Sequence, residues 1–497
     1  MMRTILRQLE RHALEQPEKV ALEDTAYAMT YRQLSRTITE VGARIAAERV
    51  AMMMDNGVPW AVVDLTIAAC GAVAIPVPTF FSDEQIGHLL TDAAPDLLIT
   101  DRAEYGVPLS RVSRHETIVI AHTELHLYTL QPACRRTLPS DTGKITYTSG
   151  TTQQPKGVCV TRAAMDEVTD ALASAAVARA DDRSLTVLPL STLLANIGGI
   201  YVPIVRGATA VVPSLAQCGF TGSSTVEPEA FMDALCRFAP TATILVPQLL
   251  KLTVECAQAG APLPSTLRFV AVGGAPCSAL LLGRARTLGI PVYEGYGLSE
   301  ATSVVSMNRP GSERAGSVGM PLPHARVRIA DDGEIVVSGA LFGGYLGQYD
   351  SHPEAWHTGD TGWLDADGFL YIGGRKKTAF ATAFGRNVSP EWVESELVAT
   401  RAIQQAAVFG EGREFNVAVV VSMPGASPDH IQAAIDATNA RLPDYARVHA
   451  WCPADSPFGA ANGLARPGGA LNRSVIATRY ALAIEALYER EDHHVHP

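Results

Sequence analysis

The sequence has no uninterrupted apolar stretch long enough to span a bilayer. Its most apolar region, Trp60 to Phe81, is broken by Asp64, Gly71, Pro76 and Pro78. It reads as a buried helix, AVVDLTIAAC, running into a short buried strand, AVAIPV. The stretch MMRTILRQLERHALEQPEKV carries Glu10 and Glu15 inside its apolar pattern and does not read as a signal peptide, so cytoplasmic residence is expected. The eight cysteines include no CxxC pair and no His/Cys cluster at metal-ligand spacing. That excludes a disulfide scaffold or zinc module and predicts reduced, mostly buried thiols. Nor is there an excess of basic charge. Forty Lys and Arg stand against 51 Asp and Glu, a formal net charge of −11. Long-range repulsion then opposes nucleic acid and anionic membranes, so any phosphate site must be local. Repeats and low-complexity tracts are absent, and the terminal HHVHP reads as a frayed end.

What is present is a large globular core. The 497 residues are 47% hydrophobic and 18% charged, more chain than one ordinary core accommodates. From about Val20 to Pro323, apolar β-branched runs alternate with helical patterns; LLITD, TIVIA, LTVLPL, ATAVVP, ATILVP, LRFVAVGG and IPVYEGYG read as strand ends. This is the pattern of an α/β domain with mostly parallel sheets, whose ligands collect at the carboxyl ends of strands. After Gly316 the texture changes to hairpins, with turns at Asp331-Asp332-Gly333 and at Asp365 to Gly368. Beyond GRKKT (374–378) a compact α+β stretch begins, with Ser389-Pro390 as helix cap and first turn. A boundary at Lys377 gives domains of 1–376 and 377–497.

TYTSGTTQQPKGV (146–158) concentrates hydroxyls, glycines and one lysine between two β-prone runs. Glycines let backbone N–H groups turn toward an anion, hydroxyls donate further, and Lys156 adds a positive charge, so phosphate is the natural guest. The Walker loop does not fit, because Pro155 and Gly157 flank the lysine where that motif wants Gly and Ser or Thr.

TSGTTQQPKGV, YGLSEAT, HTGDTGWLDADG and GRKK, in that order, resemble the adenylate-forming superfamily of acyl-CoA synthetases, nonribosomal-peptide adenylation domains and luciferases. MTYRQL, GAVAIPV, GSVGMPLP, FGRNVSPEWVE and LPDYARV agree, so the likeness covers nearly the whole chain. It implies a large α/β N-terminal domain with a distorted β-barrel-like part and a small mobile α+β C-terminal domain. It also implies an AMP-forming acid-thiol ligase using ATP and Mg²⁺. Thr148, Ser149, Thr151, Thr152 and Lys156 would form the triphosphate loop. Glu300 would bind Mg²⁺, with Ser299 near the α-phosphate. Tyr296 would stack on adenine beside Gly297, with Gly273, Gly274 and Ala275 leaving room for the base. Asp360, an acceptor-only carboxylate, would grip the ribose hydroxyls with help from Arg375. Lys377 would be the hinge.

The acid and its acceptor are read from other segments. LPLSTLLANIGGIYVP (188–203) lacks the carboxylate with which amino-acid-activating relatives pair the substrate ammonium. An unpaired buried ammonium is costly, so an amino acid is disfavoured. Leu193, Leu194, Ile197 and Gly198-Gly199 read as the wall of an apolar acyl pocket for a medium- to long-chain acid, though core packing produces such residues as well. FGRN (384–387) resembles the loop lining the pantetheine tunnel, with Gly385 leaving space for the thiol arm of CoA or of a separate carrier protein; no attachment pattern of a carrier domain is visible. In NGLARPGGALNRSVI (462–476), which resembles the catalytic loop of the small domain, alignment on Arg473 puts Ala470 where a lysine normally stabilises the charge of adenylation. Three accounts compete: an engineered substitution, a natural loss, or a register in which Arg466 or Arg473 serves instead. Retention of the other site residues favours the first. The rival functions are an enzyme that stops at the adenylate or oxidises it as luciferases do, a ligase serving only a carrier protein, and an inactive adenylate-binding relative.

Overall fold

The computed structural model of the chain describes residues 3–103, 111–131, 135–148, 155–221, 225–348, 352–383, 386–466 and 469–489. Two large sheets dominate. In the nine-stranded sheet, Val20–Glu23, Thr209–Val211, Arg183–Thr186, Ala242–Leu245, Phe269–Val272 and Val292–Leu298 run parallel in that spatial order. The short strands Ala28–Thr30, Ser303–Met307 and Met320–Pro321 close its edges antiparallel. The eight-stranded sheet has a parallel centre, Thr142–Thr148, Val73–Pro76, Arg49–Met53 and Leu97–Thr100, with antiparallel strands on both flanks. Ala325–Ile329, Glu334–Gly339, Ala355–Leu364 and Leu370–Arg375 form a further four-stranded sheet.

The helix Val58–Ala69 is buried from Val58 to Ala68, including Asp64. A helix apolar on every side belongs inside a core. MTYRQL folds as its residue types dictate: Thr30 and Gln33 make a reciprocal capping box for the helix Tyr31–Gly42. TIVIA departs from the parallel reading. Val112–Ile120 pairs antiparallel with Thr123–Leu130, through Ala121 and His122 at φ 48° and 67°. Two positive φ angles match the twist of a tight hairpin, but the usual Asn-Gly signal is missing from the sequence.

By compactness the chain divides into one unit of 1–274, 285–328 and 336–356, and another of 275–284, 329–335 and 357–497. Within the second, Ile403–Phe409, Asn416–Ser422 and Val448–Pro453 form a three-stranded sheet with helices on both faces. Ala418 and Val420 pack with Val393, Leu397, Ile431 and Ile435, whereas Val417, Val419 and Val421 pack with Ile476, Tyr480 and Ile484. The period-two alternation of one strand therefore serves two cores. Ser389 caps Pro390–Val398 by position only, without a side-chain bond to the helix backbone. All seven described cysteines are free thiols, and only Cys159, Cys218 and Cys452 are buried, fewer than expected. Among the described residues no helix is long and apolar enough to cross a membrane.

Candidate active site

The lysine-bearing loop is flanked by paired strands. Thr142–Thr148 and Lys156–Thr161 run antiparallel, placing Thr148 opposite Lys156. Ser149, Thr151 and Thr152 lie outside the described residues. Lys156 is exposed, and its ammonium sits 5.6 Å from the ring centroid of Tyr345. The Tyr345 hydroxyl in turn donates to Glu300 Oε1 at 2.7 Å. Cation, aromatic ring and carboxylate thus form one row. Tyr345 was not found by the sequence reading; it is held by a two-residue strand, Gly344–Tyr345, laid against Val158 and Cys159. Burial and the bond to Glu300 push its phenol well above the ordinary range, so it remains a donor.

Glu300 occupies a short helical turn, Ser299–Ala301, whose exit is strained. Thr302 and Ser303 have φ 55° and 95°, unfavourable for non-glycine residues and most of all for a β-branched one. The buried Thr302 hydroxyl has no hydrogen-bond partner among the described residues. Strain and an orphaned polar atom beside a carboxylate suit a binding turn. Tyr296 and Ser299 are half-buried on the same stretch. Gly297 must be glycine, because a Cβ there would meet the Ser303 carbonyl oxygen at 1.7 Å. Gly273 is similarly confined, its Cβ position 2.9 Å from the Gly295 carbonyl oxygen. Gly274, at φ 83°, and Ala275 are exposed after the strand Phe269–Val272. No group of three His, Cys, Asp or Glu converges among the described residues. Mg²⁺ held between phosphates needs only one or two carboxylates, so the donor set fits that ion.

In the second unit Asp360 lies directly opposite Arg375 across an antiparallel pair. Its carboxylate is buried and meets the exposed Arg375 guanidinium at 2.8 Å. Lys377 is exposed in a turn closed by the Ala379 N–H donating to the Arg375 carbonyl at 2.8 Å. Ala470 is exposed, its carbonyl accepting from the Arg466 N–H at 2.8 Å. Arg473 points elsewhere. It grips Glu394 with both terminal nitrogens, at 2.6 and 2.5 Å, and lies 3.4 Å from Glu391. Gly385 lies outside the described residues.

The segment read as an acyl wall is helical from Leu193 to Arg206, with a π turn at Ile197–Tyr201. Leu194 and Gly198 line an apolar cavity together with Val202, Ile244, Phe269 and Val304. Leu193 and Ile197 are buried but do not line it. Gly199 serves packing, since a Cβ there would lie 2.0 Å from Thr186 Oγ1. Asp182 also borders the cavity, but its carboxylate accepts from Arg268 Nε and the Thr241 hydroxyl, both at 2.7 Å.

The profile of the AMP-binding enzymes matches residues 9–346, and that of the AMP-binding enzyme C-terminal domain matches residues 379–492. The chain belongs to the AMP-binding enzymes. This is the adenylate-forming superfamily, and within it the enzyme is an acyl-CoA synthetase-like ligase. It is 28% identical to a long-chain-fatty-acid–CoA ligase, FadD15, of Mycobacterium bovis, over 90% of this chain and 89% of that one. It is 29% identical to a 2-succinylbenzoate–CoA ligase of Bacillus mycoides, over 83% and 87%. Its fold resembles that of the anthranilate CoA ligase AuaEII solved with anthranoyl-AMP, at a TM-score of 0.79 and 20% identity, over 96% and 97% of the two chains.

Proposed function

We propose that this enzyme activates an apolar carboxylic acid, of medium to long chain, as its acyl adenylate. It then passes the acyl group to the pantetheine thiol of CoA or of a separate carrier protein. The observation that carries the reading is the apolar lining of the cavity bordered by Leu194, Gly198 and Val202, whose free space of about 70 Å³ must widen to take more than a short chain. Its one charged pair is closed on itself, Asp182 being occupied by Arg268. No carboxylate is left there for an amino-acid ammonium, and an unpaired one would be costly to bury.

The carboxylate of the acid attacks the α-phosphorus of ATP and pyrophosphate leaves, so the protein must neutralise charge and align two anions that repel. Lys156, with Thr148, Ser149, Thr151 and Thr152, would hold the phosphates. Glu300 would take Mg²⁺, which offsets the charge developing on the leaving pyrophosphate. Tyr345 fixes one oxygen of that carboxylate. Tyr296, Ser299 and the backbone at Gly273 to Ala275 and Gly297 would receive adenine and α-phosphate. Asp360, freed from Arg375, offers two acceptor oxygens to ribose hydroxyls. Lys377 would be the pivot between adenylation and thioester formation, two residues before the C-terminal profile begins, and Gly385 would admit the thiol arm. With Ala470 in place of the customary lysine, adenylation is the impaired step. The test is pyrophosphate release across acids of graded chain length and across ring acids, with and without CoA. Preference for ring acids or amino acids would refute the chain reading.

A further inference from the structure

A fully buried ionic network lies beside the cavity wall. Lys144 is 2% exposed and Asp64 1%, and the ammonium donates to Asp64 Oδ1 at 2.7 Å. It also donates to Asn196 Oδ1 at 2.5 Å and to the Tyr201 hydroxyl at 3.0 Å. The second Asp64 oxygen accepts from the Tyr201 hydroxyl at 2.6 Å and from Asn196 Nδ2 at 2.9 Å. The Trp60 ring lies 5.8 Å from the same ammonium. Nothing in adenylate chemistry calls for this pair. Burying two ions is expensive, so the pair is a poor source of net stability, whereas it can specify one conformation of the helix that supplies Asn196 and Tyr201.

That conformation is the wide turn. On a regular α-helix, side chains five residues apart diverge by about 140°, so Asn196 and Tyr201 would not meet one carboxylate. The π turn at Ile197–Tyr201, closed by the Val202 N–H donating to the Ile197 carbonyl, widens the helix and brings both onto Asp64. Within that same turn Gly198 presses against Ile244, where a Cβ would lie 2.4 Å from Cδ1, and Leu194, Gly198 and Val202 border the cavity. Relaxing the turn to α-helix would rotate one part of this wall relative to the other.

We infer that Asp64, Lys144, Asn196 and Tyr201 are positioning residues that hold the wide turn and thereby set which acyl lengths the cavity accepts. The inference rests on the apolar-acid reading above. It is tested with Tyr201→Phe, which removes one hydroxyl and strands neither charge. A charge-free Asp64→Leu/Lys144→Met variant decides the matter should Tyr201→Phe fold poorly. Displacement of a fluorescent fatty acid by saturated acids of graded length gives the affinity profile without requiring turnover. The expected result is a shift of the preferred length, with roughly tenfold weaker binding at the original optimum, while ATP affinity is unchanged. An unaltered profile, or equal weakening at every length, would overturn the inference. If the unmodified enzyme binds ring acids and no chains, the chain reading fails by itself. The profile over ring acids of graded width then decides the positioning role by the same two criteria.

Discussion

Ala470→Lys is expected to raise acyl-adenylate formation about a hundredfold, equivalent to about 3 kcal/mol of transition-state stabilisation. That gain requires that no other cation already does the work. Of the two alternatives, Arg466 and Arg473, the second lies on the helix Arg473–Arg479, and its contacts remove it from consideration. To act elsewhere it would have to leave Glu394, a buried carboxylate that also accepts from the Val408 N–H at 2.7 Å. Stranding such a charge costs about 3 to 5 kcal/mol, at least as much as a cation at the reacting centre would return. Position 470 is exposed, and Gly469 and Ala470 meet Arg466 through backbone bonds, so a long side chain is accommodated there at the surface. Two assays separate the steps: pyrophosphate release from acid and ATP, and thioester formation from synthetic acyl adenylate and CoA. The first should rise and the second stay level. The reasoning is refuted if lysine restores nothing in the first assay, or if the unsubstituted enzyme is equally inactive in the second.

Glu300→Gln should cripple adenylation and leave the fold intact, because one negative charge beside Mg²⁺ is lost while the Tyr345 hydroxyl keeps an acceptor; unchanged pyrophosphate release at limiting Mg²⁺ would remove the assignment. Asp360→Ala should weaken ATP binding by on the order of 2 to 4 kcal/mol, two charge-assisted hydrogen bonds, as read by calorimetry. A loss under about threefold would leave Asp360 only as the partner of Arg375. Lys377→Pro fixes φ at the turn and should slow thioester formation more than adenylation, whereas equal losses in both would place the pivot elsewhere. Hydrogen bonds from Tyr480 and Arg479 hold Asp455 down at about 2. A carboxylate depressed in the folded state contributes stability above its unfolded pKa, near 4, that is lost as pH falls through about 2. Asp455→Asn should therefore flatten the acid limb of a thermal-melt profile between those values, and an unchanged limb would show that the contact is too exposed to matter.

Strands were legible because burial on both faces leaves apolar β-branched runs, as in Leu97–Thr100 and Phe269–Val272. The order of motifs was legible because each is local. Tyr345 was not, since its role depends on a two-residue strand that no periodicity reveals and on a carboxylate 45 positions away. The hairpin turn at Ala121-His122 was hidden for a related reason: its strained φ angles are imposed by two long strands and not by turn-forming residues.

The hardest feature to read was a charge in an apolar run. Asp64 reads as an interruption of a hydrophobic stretch, and nothing in the sequence singles out Lys144, although each alone would be costly in a core. Only the fold brings together these residues, 80 positions apart, and then supplies Asn196 and Tyr201 from one distorted turn. A lone buried ion in sequence therefore argues for its opposite elsewhere in the chain. Gly198 and Gly199 carry the same lesson. Read locally they signal room for a ligand, yet in the fold one borders the cavity and the other lets the helix close on Thr186. The residues that shape the wall and those that hold it in place lie on the same turn, so a substitution meant to widen the cavity there must also be weighed for its effect on the buried charges.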